Sequence, residues 1–402
     1  MNILFLFCSL PVLDSNNGLF VQLINEFHIQ GHHVCVSAKG QINDKTCIRK
    51  ENGIDVLRIK SHDFTGVSSN VKKALAYQEY ALKQRYNTKK FFKNEKFDLI
   101  ISHSLPPEIA YIVSGLKCYF KCPFYLIQSD YTWQDAVGFG YFSDKSLVAR
   151  YYRFWEKRAF KMANFIGCPT KGNIDFIKDY YPIIEDSCFD FLPFWSNEVN
   201  VQPNYVLKEQ LGLKEKFTVI YGGSIGAAQR IEHIVELADA CRDYTDIAFV
   251  LLGRGAYLDV IKGMVAEKNL SNVVFKDFLP QDQYLAFLAS CEVGMIILNE
   301  RLATPNFPSK ALSYFNMKVP ILAALDHITD FGKYLDENHA GLWAYSDDIQ
   351  SLKEQLIRYY KSMDLREKVK KCGFELFKTQ LTTTCAYQTI INKFKKSIKY
   401  NG

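Results

Sequence analysis

A chain of 402 residues with 48% hydrophobic and 23% charged residues is too long for one ordinary core, fits two domains of similar size, and carries no sign of disorder. Its 49 basic and 43 acidic residues leave a modest net charge of +6, and no nucleic-acid-binding motif accompanies it. Eleven cysteines without a CxxC pair point to reduced thiols rather than a disulfide scaffold or zinc site, and no run of 18 apolar residues offers a membrane-spanning helix.

The first residues, Met1-Asn2-Ile3-Leu4-Phe5-Leu6-Phe7-Cys8, lack the basic leader and cleavage site of a signal peptide, so residues 2–9 are predicted to be a strand. They lead through Asp14-Ser15-Asn16-Asn17 to Gly18, which opens a helix through Leu19, Val21, Leu23, Ile24 and Phe27. A glycine at that turn lets backbone N–H groups approach a ligand closely. Residues 32–37 form the next strand. Lys72, Lys73, Lys83, Arg85, Lys89, Lys90, Lys93 and Lys96 then crowd one segment around Phe91 and Phe92, and Lys393, Lys395, Lys396 and Lys399 end the chain. Such basic, aromatic stretches lie on anionic lipid or form solvated helical faces. Residues 97–101 form a strand delivering His103-Ser104, and residues 123–127 another delivering Ser129-Asp130. His103 and Asp130 are candidate proton-handling groups; the plainer readings are a structural hydrogen bond for His103 and a helix cap for Asp130.

In the second half, the β-rich run 217–221 ends in Gly222-Gly223-Ser224-Ile225-Gly226 and is followed by helical spacing over 231–237. Residues 247–252 repeat the pattern into Gly253-Arg254-Gly255 and a helix over 256–268; residues 272–275, 293–298 and 321–324 supply further strands. This alternation predicts a parallel sheet whose ligand crevice lies at the carboxyl ends of its strands, where Gly223, Gly253 and residues 305–310 fall. In Pro305-Asn306-Phe307-Pro308-Ser309-Lys310, Pro308 suits the first turn of a helix, with Asn306 or Phe307 just outside it. The N–H groups of that turn and the Lys310 ammonium would converge on a phosphate; the alternative is a helix start with a solvated lysine.

Asp130-Tyr131-Thr132-Trp133-Gln134-Asp135-Ala136 resembles the Asp-Leu-Trp-Pro-Glu-Ser-Ala element of bacterial family 4 glycosyltransferases that build O-antigen and capsule, including L-fucosamine transferases. Trp155-Glu156-Lys157-Arg158-Ala159-Phe160 and Ala163-Asn164-Phe165-Ile166 look like the helix and strand that follow it, and Phe191-Leu192-Pro193-Phe194-Trp195-Ser196 is similar to the interdomain linker. Gly223-Ser224-Ile225-Gly226-Ala227-Ala228-Gln229, Gly253-Arg254-Gly255, Phe278-Leu279-Pro280 and Pro308-Ser309-Lys310-Ala311-Leu312 follow in the family's order.

The resemblance implies an α/β chain of two Rossmann-like domains facing a central cleft, the GT-B fold. Residues 1–195 would hold the acceptor and residues 196–375 the nucleotide sugar, with a C-terminal helix in 376–402 packing back on the first domain. It implies retaining transfer from a nucleotide diphosphate sugar, UDP favoured, to a lipid-linked or glycan acceptor in surface polysaccharide synthesis. The enzyme would sit at the cytosolic face of an anionic membrane, with no nucleic-acid partner. No cofactor is expected and, with no Asp-x-Asp motif at a strand end, no metal. Asp130 and His103 would be catalytic. Gly18, Gly223, Ser224, Arg230, Arg254, Asn306, Phe307, Ser309, Lys310 and Ser313 would line the donor site, with Phe278 near the nucleobase.

Two departures from the family stand out. Pro305 and Ser313 occupy the usual places of two glutamates, and Ser224 and Gln229 those of an arginine and a lysine. Arg230, Arg254 and Lys310 are then left to neutralise the diphosphate. The alternatives are an enzyme like UDP-N-acetylglucosamine 2-epimerase, or a catalytically impaired sugar-nucleotide-binding subunit, which Ser313 favours. A nicotinamide dehydrogenase fits poorly, because the glycine turn lacks the spaced Gly-x-Gly-x-x-Gly pattern.

Overall fold

Apolar strands alternating with amphipathic helices build two separate sheets in the computed structural model of the chain. All residues are described except 16–17, 42–43, 62–69, 227–228 and 401–402, and the side chains of 70–73 and 398–400. Asn16, Asn17, Ala227, Ala228 and the Lys72, Lys73 and Lys399 side chains therefore lie outside the described residues. The chain divides into a first unit, Met1–Asn197 with Thr383–Gly402, and a second, Glu198–Thr382, where the sequence reading put its boundaries at 195/196 and 375/376.

The first unit holds β1 (Asn2–Leu6), β2 (His33–Lys39), β3 (Cys47–Glu51), β4 (Ile54–Ile59), β5 (Leu99–His103), β6 (Phe124–Ile127), β7 (Phe165–Cys168) and β8 (Phe189–Phe191). They pair in the order β3-β4-β2-β1-β5-β6-β7-β8, all parallel except the β3–β4 hairpin. Strands such as β1 read as continuous apolar runs because both faces of a parallel sheet are covered. Leu4 and Leu6 enter one core, beneath the helices Asn70–Phe91, Ile109–Phe120 and Leu147–Met162. Ile3 and Phe5 enter the other, with Val21 and Phe27 of the helix Leu19–Ile29 and Ile390 and Phe394 of the helix Thr383–Tyr400. Where the chain leaves this unit, the buried Trp195 indole donates to Leu19 O over 2.9 Å. Where it returns, Thr383 N–H donates to Ser196 O over 3.2 Å.

The second unit holds β9 (Phe217–Gly222), β10 (Ile247–Leu252), β11 (Val273–Lys276), β12 (Val293–Ile297), β13 (Ile321–Leu325) and β14 (Gly341–Tyr345), in the order β11-β10-β9-β12-β13-β14 and all parallel. Strand order reverses beside β1 in the first sheet and beside β9 in the second, and open α/β sheets bind ligands outside the carboxyl ends at such reversals.

Three local expectations need correction. The strand predicted over residues 2–9 ends at Leu6, and Cys8 and Ser9 bend away. The helix placed at Pro308 begins at Lys310; Ser309 occupies the cap position and its hydroxyl makes no capping bond. Asp130 does not cap the helix Thr132–Gly138, whose cap position is Tyr131.

Candidate functional site

In the first unit, strand ends bring the two predicted proton-handling residues together. His103 closes β5 and Asp130 lies three residues beyond β6; the two strands pair with His103 opposite Ile127. His103 Nε2 is 2.7 Å from Ser129 Oγ and 2.9 Å from Asp130 Oδ2. The His103 side chain is 11% exposed and that of Asp130 is 49% exposed, so the carboxylate is the member open to a ligand and the imidazole its buried support. Gly18, at φ 105°, makes the left-handed turn into the helix Leu19–Ile29, whose Phe20 ring packs 4.9 Å from that of His103. The positive φ requires glycine there, and the helix it opens forms one wall beside His103.

Behind Asp130 lies a cavity of about 20 Å³, lined by Ser104, Gln128, Thr132, Trp133, Tyr152 and Glu156. Burial raises the carboxyl pKa of Glu156, which accepts both from the Gln134 amide and from Tyr181 Oη at 2.7 Å. The Gln134 bonds tie the helix that follows Asp130 to the helix Leu147–Met162. A larger cavity of about 490 Å³ opens beyond β2, lined by Ser9, Leu10, Lys39, Gln41, Arg49 and Arg58. Arg58 is already committed to Glu51, at 2.7 Å, and to the carbonyl of Leu10.

In the second unit, the glycine turns after β9 and β10 interlock. Gly223 N–H donates to Leu252 O and Ile225 N–H to Arg254 O, each over 2.9 Å. Gly253 sits at φ 150°, and a Cβ there would lie 1.8 Å from Gly223 O. A Cβ on Gly223, itself at φ 148°, would lie 2.7 Å from Lys310 Cε. The glycines thus let two backbones and a lysine stem share one small space. Gly253→Ala is expected to destabilise this unit by about 1–3 kcal/mol. Gly263→Ala, inside the helix Leu258–Glu267 with nothing within 4 Å of the new Cβ, should stabilise by about 0.4–1 kcal/mol. Denaturant melts of the two variants provide the comparison.

The three cations predicted at the diphosphate fare differently. Arg230 forks onto Glu300, at 3.1 Å and 2.9 Å, and the buried His233 stands 3.6 Å behind the same carboxylate. Arg254 pairs with Asp277 at 2.5 Å and 2.9 Å, and its guanidinium lies 5.5 Å from the Phe278 ring centroid. Lys310 has no carboxylate within ion-pair distance among the described residues; its ammonium lies 5.0 Å over the Tyr221 ring. Burial without a counter-charge pushes its pKa below the usual lysine range. A positive charge in that state is one that an anionic ligand would complete.

The other predicted donor residues take various roles in this unit. Ser224 O accepts from Tyr221 Oη at 2.9 Å, and Phe278 is exposed. Asn306 N–H donates to Thr329 Oγ1 at 3.1 Å, while Phe307 is buried against Phe331 and Tyr334 and anchors the loop. Ser309 is exposed. Ser313 Oγ donates to Lys310 O at 2.8 Å. Glu300, Asp277 and Tyr221 escaped the sequence reading. Glu300 had a legible signal, a carboxylate three residues after the apolar run of β12, at the sheet's carboxyl edge.

Residues 206–375 match the family of glycosyl transferases group 1. Over 167 residues the chain is 27% identical to the probable glycosyltransferase WbjE of Pseudomonas aeruginosa, covering 41% of this chain. Over 149 residues it is 25% identical to the putative colanic acid biosynthesis glycosyl transferase WcaI of Escherichia coli K12, covering 36% of this chain. Each match spans 36% of the relative's own length. Among solved structures, sucrose-phosphate synthase from Thermosynechococcus elongatus superposes with a TM-score of 0.76 at 15% identity, covering 100% of both chains. Anabaena Alr3699/HepE, solved with UDP and glucose, superposes with a TM-score of 0.68 at 14% identity, covering 98% of this chain and 100% of its own. The parallel sheets, their order and these likenesses give the chain the GT-B fold, with the match to glycosyl transferases group 1 falling on residues 206–375.

Proposed function

We propose that this protein transfers a sugar, with retention at the anomeric carbon, from a nucleotide diphosphate sugar to a lipid-linked saccharide of a bacterial surface polysaccharide. The reading is supported above all by Lys310, a largely buried lysine without a counter-charge among the described residues, beside the Gly223 turn where the second sheet reverses its strand order. Departure of a diphosphate builds negative charge at the leaving oxygens and positive charge on the sugar, so a fixed cation held out of water stabilises the transition state. Tyr221, beneath the ammonium, keeps it in place. UDP is the favoured nucleotide, since a structural neighbour was solved with it, and WcaI's name supports the polysaccharide setting.

On the first unit, Asp130 takes or orients the acceptor hydroxyl and His103 holds the carboxylate in place. Neither a metal nor a cofactor enters this scheme. The test is calorimetry with UDP and GDP, followed by incubation of UDP-sugars with and without a lipid-linked acceptor extract. Binding of UDP and donor consumption only with acceptor are expected. Turnover of donor alone would point to epimerisation, and binding without any transfer to a subunit that holds the nucleotide sugar.

A further inference from the structure

The helix Leu147–Met162 carries five basic residues against one acid, and they are not evenly spread around it. At 3.6 residues per turn, Leu147, Arg150, Phe154, Lys157, Arg158 and Lys161 all point within about 60° of one direction. That direction faces water: Leu147 is 80% and Phe154 52% exposed, and the four cations are exposed as well. The single acid, Glu156, lies on the opposite side with the buried Ala149, Ala159 and Phe160. Arg153, the fifth basic residue, is turned away onto the Trp133 ring and bonded to Asp144. Just before the helix, Tyr141 is 75% exposed.

Several cations of the other basic segments are engaged elsewhere in the fold, whereas on the helix Leu147–Met162 the one such contact among the four outward cations, Arg158 over the Phe154 ring at 5.2 Å, lies within the outward face itself. Lys83 is paired with Glu79, Arg85 and Lys89 lie over the rings of Tyr111 and Tyr119, and Lys393 of the C-terminal helix is held by Asp190 at 3.2 Å and Phe189 O at 2.6 Å. The helix Asn70–Phe91 nonetheless exposes Leu75, Leu82 and Tyr86, and Gln78 Nε2 donates to Tyr151 Oη at 3.3 Å, so its apolar residues border the same surface.

From this arrangement we infer that the outward face of Leu147–Met162 is a docking surface for an anionic lipid bilayer. Leu147 and Phe154 enter the headgroup boundary, and Arg150, Lys157, Arg158 and Lys161 reach lipid phosphates on either side. An apolar centre flanked by long cationic side chains, with no acid on the face, complements a negatively charged interface in both charge and depth. The inference deepens the lipid-linked acceptor reading and rests on it for its purpose, because docking brings the first unit to the acceptor's membrane.

The experiment is sedimentation with vesicles of phosphatidylcholine alone or containing one part in about three of phosphatidylglycerol. Wild type is expected to bind only the anionic vesicles, and a cation close to the surface contributes about fivefold to partitioning. Arg150→Glu/Lys157→Glu/Arg158→Glu should lower it at least ~10²-fold, while the charge-matched Lys214→Glu/Lys333→Glu/Lys361→Glu on the second unit should stay near wild type. Leu147→Ser/Phe154→Ser should leave binding that added salt removes easily. UDP affinity and melting temperature, measured on every variant, should match wild type. Equal loss in the two triple variants, or none in the first, overturns the assignment. Failure of wild type to bind UDP would instead sink the transferase reading and leave the vesicle result standing.

Discussion

Asp130→Asn should lower sugar transfer at least ~10²-fold while leaving UDP affinity and melting temperature close to wild type. The substitution keeps the volume and the ability to accept from His103 Nε2, which now stands 2.9 Å from the carboxylate, and removes only the charge and basicity. General-base assistance of this kind is typically worth ~10²–10⁴ in rate. A structural role predicts a different pattern: since Asp130 caps no helix and Asn can still accept from His103, a merely structural carboxylate would leave transfer close to the wild-type rate. Transfer at the wild-type rate would remove Asp130 from the chemistry and leave His103 to be tested next.

Lys310→Met should weaken UDP binding by about 1.5–3 kcal/mol, the scale of a hydrogen bond to a charged group, and should raise rather than lower the stability of the free protein. The two effects have one cause. The ammonium is largely buried with no carboxylate within ion-pair distance among the described residues, so its charge is desolvated without compensation from an acid. The pH dependence follows. With the folded pKa of Lys310 depressed, the unfolded chain binds more protons between the folded and the ordinary lysine values, so stability rises with pH across that window. UDP affinity should fall over the same window as the ammonium is lost, and Lys310→Met should flatten both trends. Titration calorimetry and thermal melts at several pH values test this; an unchanged UDP affinity in the variant would mean that the lysine does not meet the diphosphate.

Much of the architecture was legible because parallel sheets covered on both faces require continuous apolar strands, and 217–221 and 247–252 end directly in glycine turns. The β3–β4 hairpin was overlooked, although Asn52-Gly53, at φ 47° and 79°, is the sequence signal for a two-residue turn; β3 itself, Cys-Ile-Arg-Lys-Glu, is a largely exposed edge strand without the apolar run of its neighbours. The basic stretch 72–96 drew attention by composition, but the number of lysines does not say which are free. The direction of each side chain decides that: Lys83 is paired with Glu79, and Arg85 and Lys89 lie over tyrosine rings.

The sequence by itself determined two parallel-sheet units, the place of the glycine turns, and which residues reach the carboxyl edges, because strand ends and turn chemistry are local properties. Tertiary structure alone decided how those residues pair. Arg230 and Glu300 are 70 positions apart, as is evident only once β9 and β12 lie side by side; Arg254 meets Asp277 because β10 and β11 do. The same packing withdraws Lys310 from water while offering it a ring instead of an acid, and seats His103 against Asp130 across 27 residues of chain. Charge is written in the sequence, but its neutralisation depends on distances of about 3 Å, which are set by the packing of strands and helices remote in the chain.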